Sequence, residues 1–136
     1  MADDKRSYNS NWLLGCGLVG VVVLLCLGAV FVLGLRQDRQ AARYPGALPI
    51  SSHSNYSGLP FQFKWDNTYQ TTDNFTAVYQ WYSITFDLGA ETRAHERCIL
   101  LEGADDYLVL TRYTSVFLCN TSTGQMIFVT RSTSLN

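Results

Sequence analysis

Side chains able to do chemistry are scarce in this chain: four cysteines and two histidines are its soft or imidazole ligands. His95 and Cys98 stand three residues apart, which is half of a metal-site spacing. A zinc or iron–sulfur centre needs a second pair at similar spacing, and His53 and Cys119, the other candidates outside the apolar run, do not supply one. No cysteine opens a CxxCH haem-attachment motif, no serine sits in a GxSxG elbow, and no glycine-rich phosphate loop is present. Neither histidine has a nucleophile in a recognisable context. Glu91, Asp105 and Asp106 fall among turn and loop residues, where carboxylates are ordinarily solvated. The reading is therefore of a non-enzyme with no catalytic residue, no cofactor, no metal and no small-molecule substrate.

What remains is thiol chemistry. Cys98 and Cys119 both lie on expected strands separated by one intervening element, so a disulfide between them is expected. It would close a loop of about twenty residues and contribute roughly 3 kcal/mol, a large share of the stability of a small domain. Cys16 and Cys26 lie ten residues apart on different faces of an apolar helix and serve as small apolar fillers.

That helix dominates the N-terminal part. Residues 12–35, WLLGCGLVGVVVLLCLGAVFVLGL, carry no charge. As a helix they extend roughly 36 Å, enough to cross a hydrocarbon core of about 30 Å with some tilt. Lipid leaves every backbone N–H and C=O to be satisfied internally, which a continuous helix does. Residues 1–11 form a polar tail. Leu13-Leu14-Gly15-Cys16 superficially matches a lipoprotein cleavage box, but too little apolar sequence precedes Cys16, and the run ends in Gly34-Leu35-Arg36 without a small-residue cleavage site. The segment is expected to be retained.

At 100° per residue Cys16, Gly17, Gly20, Gly28 and Gly34 share about one third of the helix circumference. Such a face lets a neighbouring helix approach closely in lipid. Arg36, Arg39 and Arg43 recur beyond the span at helical spacing, which predicts a helix continuing to about residue 43, until Pro45 disfavours helical geometry at Tyr44. These arginines are candidate contacts for lipid phosphates or an acidic partner, or a solvated interfacial anchor.

Lys5 and Arg6 on one flank against Arg36, Arg39 and Arg43 on the other lean toward a cytoplasmic C-terminal domain by charge counting. The Ser-, Thr-, Asn-, Tyr- and Trp-rich composition after residue 44 and the cysteine pair argue for export. Asn55, Asn74 and Asn120 begin N-x-S/T triplets, which carry meaning only in a eukaryotic lumen. The domain is expected outside the cytoplasm, on the periplasmic side. From Tyr44 onward five basic residues face eight acidic ones, a balance that excludes a nucleic-acid footprint.

Residues 44–58 read as a Pro/Gly/Ser linker, followed by a domain over residues 59–136. Phe61, Phe63 and Trp65 alternate with polar residues, as a short half-buried strand does. Thr71-Thr72-Asp73 is a helix-start signal, and Phe75, Val78, Tyr79, Tyr82 and Phe86 then recur at helical spacing over about residues 74–86. Residues 87–97 read as a loop, Cys98-Ile99-Leu100-Leu101 as a strand and Gly103-Ala104-Asp105-Asp106 as a turn. Residues 107–119 make one bent strand or two shorter ones, and residues 125–131 return after the turn at Asn120-Thr121-Ser122-Thr123-Gly124. The fold class is α+β: one N-terminal transmembrane helix, then one helix packed on an antiparallel sheet. Phe75, Tyr79 and Tyr82 are expected in the core, leaving Trp81 on the opposite helix face as the candidate partner contact.

The strings Tyr44-Pro45-Gly46-Ala47, Thr71-Thr72-Asp73, Val78-Tyr79-Gln80-Trp81-Tyr82 and Cys98-Ile99-Leu100-Leu101 resemble those of small single-span proteins of filamentous phototrophic bacteria. The resemblance covers most of the chain after the span and implies a non-catalytic accessory subunit of a membrane electron-transfer complex, alternative complex III first and a reaction-centre complex next. Membrane lipids and integral membrane subunits are the partners it implies. Two other classes compete: a membrane-tethered extracytoplasmic binding or adhesion module, and a pilin-like filament subunit. Pilins usually carry a Gly-Phe junction and an early glutamate, where this chain has Asn11-Trp12 and no acid.

Overall fold

A computed structural model of the chain describes residues 5–57, 62–89, 93–95, 97–107 and 109–135. It divides into two compact units, Met1–Ala41 and Ala42–Asn136.

The first unit is one helix, α1 (Lys5–Ala41). Its stretch Gly15–Ala41 is long and apolar enough to cross a membrane, and its apolar window is not covered by the chain. The helix starts inside the segment expected to be a polar tail. Ser7, Asn9, Ser10 and Asn11 are indifferent helix formers, but extending an existing helix adds one hydrogen bond for each residue ordered. At the other end the helix stops two residues short of Arg43.

The second unit begins at once. Of residues 44–58, expected as a linker, 44–57 are instead domain: Ala42, Tyr44 and Ala47 lie in its core, and β1 (Leu48–Ser57) follows. Tyr44-Pro45-Gly46-Ala47 is a tight turn, closed by Ala47 N–H donating to Tyr44 O at 3.0 Å. Gly46 takes φ +78°, the left-handed geometry that the third residue of a type II turn requires after proline. Arg43 Nε donates to Ala47 O at 2.8 Å across it.

β1 pairs antiparallel with β2 (Gln62–Thr71), which leads into α2 (Phe75–Thr85). A three-residue strand β3 (Arg93–His95) follows, then β4 (Cys98–Tyr107), β5 (Leu110–Thr121) and β6 (Gly124–Leu135). Together they make one six-stranded sheet, ordered β1-β2-β6-β5-β4-β3. Phe61, expected at the start of β2, lies outside the described residues.

Two further corrections concern turns. Gly103-Ala104-Asp105-Asp106 is not a turn: β4 runs straight through it, with Gly103 opposite Thr114 and Asp106 opposite Thr111. Leu88 crosses close by; a Cβ at Gly103 would stand 2.9 Å from Leu88 Cδ2. The stretch expected as a loop after α2 contains β3. The β5–β6 hairpin turns on Ser122 and Thr123 alone, between the paired Thr121 and Gly124. Gly124 adopts φ +124°, and a Cβ there would lie 2.4 Å from Thr71 O, so the end of β2 closes over it.

α2 covers one face of the sheet. Asn74 caps it: its Oδ1 accepts from Thr76 N–H at 2.8 Å, one of the donors the first turn leaves open. The chain leaves α2 through Asp87 at φ +49°, a left-handed position aspartate tolerates. Between helix and sheet, Val78 and Tyr82 meet Trp65, Leu101, Val116, Leu118, Ile127 and Val129, all fully buried.

Candidate functional site

Three regions carry the residues singled out above. On α1, Cys16 is exposed, and Cβ atoms built at Gly17, Gly20, Gly28 and Gly34 would meet nothing within 4 Å. The small-residue face is thus open in this chain. Arg36 is exposed on the last turns of α1, Arg39 is half-buried, and Arg43 lies past the helix end, bonded to Ala47. The three arginines therefore do not form one continuous helical stripe.

The second region is the aromatic cluster at α2. Trp81, expected to face a partner, is half-buried by its own domain. Its indole meets Tyr44 edge-on at 5.5 Å, Tyr82 at 4.7 Å and Phe86 at 6.1 Å between centroids. The turn at Pro45 carries Tyr44 over the helix, and that contact depends on segment 44–57 being part of the fold. Phe75 and Tyr79 pack against the core without being fully buried.

Arg131 lies under this cluster with 5% of its surface exposed. Its Nε donates to Thr114 Oγ1 at 3.0 Å, and its guanidinium lies 4.7 Å from the Phe86 ring centroid and 5.9 Å from that of Trp65. Phe86 is the C-cap of α2, where a cation also meets the negative end of the helix dipole. Nothing in the sequence marks Arg131; its register opposite Trp65 and Thr114 is what buries it. Two of the core phenols are also perturbed. Tyr82 donates to Ala42 O at 3.0 Å, and burial pushes its pKa far above the usual tyrosine range. Tyr44 is raised as well, by burial first and then by its hydrogen bond to the Asp73 carboxylate.

The third region is the sheet face away from α2. Cys98 and Cys119 are directly opposite on β4 and β5 and form a disulfide, with Cα atoms 4.1 Å apart. Asn120 N–H donates to Arg97 O at 2.8 Å beside them, which makes theirs a non-hydrogen-bonded pair, the site where strands approach most closely. Cys98 sulfur is therefore unavailable to join His95 in a metal site. The His95 and Glu91 side chains lie outside the described ones, and among the described residues no group of three or more His, Cys, Asp or Glu is placed to hold a metal.

On the same face Phe117 and Phe128 face each other across β5 and β6, their rings 6.1 Å apart, and are 38% and 39% exposed. Leu100 lies opposite Phe117, and Met126 opposite Cys119. The sequence held a signal for this face. Val116-Phe117-Leu118 and Met126-Ile127-Phe128-Val129 are unbroken apolar runs rather than alternating ones, the pattern of strands covered on both sides. The triplet asparagines Asn55, Asn74 and Asn120 are all exposed, on the β1 edge, at the α2 cap and at the β5–β6 hairpin.

No protein-family model matches the chain, and neither a curated protein nor a solved structure is significantly similar to it.

Proposed function

We propose that this chain is a non-catalytic accessory subunit of a multi-subunit membrane electron-transfer complex, held by α1 and packing its domain on partner subunits. The observation that carries the reading is α1 itself: an apolar helix of spanning length whose small-residue face the chain leaves uncovered. The sequence resemblance supports alternative complex III as that assembly. The Cys98–Cys119 bridge supports a domain outside the cytoplasm, since disulfides persist in oxidising compartments. Membrane lipids and neighbouring helices are the partners of α1, Arg36 and Arg39.

The test is purification of the tagged full chain from native membranes in mild detergent, with identification of co-purifying chains and turnover of the complex with and without this subunit. The expected result is fixed stoichiometry with redox subunits, and a complex lacking it that loses cohesion on heating but turns over normally while intact. Gly20→Leu or Gly28→Leu should release the subunit. A monodisperse free protein would favour the tethered binding module, filaments the pilin-like subunit, and loss of all turnover in a fully assembled complex a catalytic role.

A further inference from the structure

Three sulfur-bearing residues stand in one row across the sheet. Cys98 on β4 is directly opposite Cys119 on β5, and Cys119 is directly opposite Met126 on β6. The cysteine Cα atoms are 4.1 Å apart, and directly opposite residues such as Cys119 and Met126 lie about 4.5–5.5 Å apart and share a face. That face is the one away from α2: Cys98 precedes buried Ile99, Cys119 follows buried Leu118, and Met126 lies between buried Gln125 and Ile127. All three are half-buried. The row behind them is apolar, with Leu100, Phe117 and Phe128 opposite one another in turn. On the other side the strands end, beside exposed Arg97 and Asn120, so a thiol or an ion can approach from there.

We propose that this row is a redox-gated site for Cu(I): once the bridge is reduced, Cys98 and Cys119 bind the ion as thiolates and Met126 supplies a thioether as third ligand. The inference goes beyond the accessory-subunit reading and does not depend on it. Ligand softness selects the metal. Thiolate and thioether donors favour Cu(I), whereas zinc takes four thiolate, imidazole or carboxylate donors. Among the described residues no group of three or more His, Cys, Asp or Glu is placed to hold a metal, so a hard cation has no carboxylate set here. The step balances. A dithiol attacks the bridge, passes through a mixed disulfide and leaves oxidised, and Cys98 and Cys119 each gain a proton and an electron. Cu(I) then displaces both protons without changing oxidation state. Pairing from Ile99 opposite Leu118 to Tyr107 opposite Leu110 keeps β4 and β5 in register without the covalent tie, so the sulfurs remain facing. The apolar row behind them limits water at the ion.

The full chain carrying Cys16→Ala and Cys26→Ala, so that no thiol of α1 competes, is reduced without air in detergent micelles by a water-soluble phosphine and freed of it. Cu(I) is then offered as its coloured bicinchoninate complex, and near-ultraviolet circular dichroism follows the fold throughout. The reduced chain should take up one Cu(I) and the disulfide form none, and X-ray absorption at the copper edge should show a shell of three sulfurs. Met126→Leu should weaken binding at least about tenfold and leave two sulfurs in that shell. Cys98→Ser with Cys119→Ser should abolish uptake while the domain stays folded. No uptake by the folded, reduced chain overturns the proposal. So does loss of the folded spectrum on reduction, since strand register is what assembles the row. Unchanged affinity and coordination in Met126→Leu overturns the three-sulfur site, and Zn(II) held as tightly as Cu(I) overturns the selection of the metal.

Discussion

The two faces of the sheet are built from alternate residues of the same strands and have opposite fates. Toward α2, Trp65, Leu101, Val116, Leu118, Ile127 and Val129 retain at most 1% exposure; away from it, Phe117 and Phe128 retain 38% and 39%. One face of the sheet is thus closed by the domain's own helix, and the other keeps its large apolar side chains partly exposed. The lesson is that hydrophobic residues of equal size in adjacent positions do different work: one set holds the fold, and the other is available for association.

The largest effect should come from breaking the closed face. Trp65→Ala removes a side chain buried to 1% exposure, and should cost about 3–5 kcal/mol, whereas Phe128→Ala should cost less than about 1 kcal/mol. Urea unfolding of the full chain in detergent micelles, followed by near-ultraviolet circular dichroism, compares the two. Equal losses would mean that the faces are not energetically distinct.

Next in size is the covalent tie between β4 and β5. Replacing Cys98 and Cys119 by serine should lower stability by roughly 3 kcal/mol, while Cys16→Ser, on the exposed surface of α1, should leave domain unfolding unchanged. The same denaturation measurement checks both, together with peptide mapping under non-reducing conditions.

Gly124→Ala should cost about 1–3 kcal/mol. Its φ of +124° and the 2.4 Å approach of a Cβ to Thr71 O both oppose a side chain. This variant strains the hairpin without touching either face, so a loss as large as that of Trp65→Ala would place the weak point of the fold in the turn rather than the core.

The smallest effect is confined to alkaline solution. Tyr82 has its folded-state pKa raised by burial, so the folded domain holds that proton more tightly than the unfolded chain. Its contribution is complete below the ordinary tyrosine pKa of about 10 and declines as pH rises above it, because the unfolded chain ionises first. Stability should therefore be flat in this respect near neutrality and fall in strong alkali. Tyr82→Phe should flatten that alkaline slope, as read by urea midpoints across a pH series. An unchanged slope would assign the effect to other groups, Tyr44 first.

How much of this was legible beforehand follows from how local each feature is. The apolar helix, the capped α2 and the cysteine pair rest on composition, short-range periodicity and turn residues, and the α+β class follows from them. β1 was not legible because Leu48–Ser57 has no apolar alternation; its described side chains are exposed, it lies at the sheet edge where Pro49 is tolerated, and backbone pairing with β2 alone makes it a strand. Gly103 read as a turn because glycine is ambiguous by itself, and only the crossing of Leu88 shows that it marks a close approach.

Sequence alone therefore determined that residues 12–35 lie in a helix long and apolar enough to cross a membrane, that a small α+β domain follows it, and which cysteines could meet. Tertiary structure decided that Trp81 is held within the domain by Tyr44, Tyr82 and Phe86, that Arg131 is buried over aromatic rings, and that Phe117 and Phe128 remain exposed together. The physical reason is range. A helix period or a cap is written within a few consecutive residues, whereas the identity of the buried face depends on strand register and on which side α2 packs, and those are settled by contacts between residues far apart in the chain.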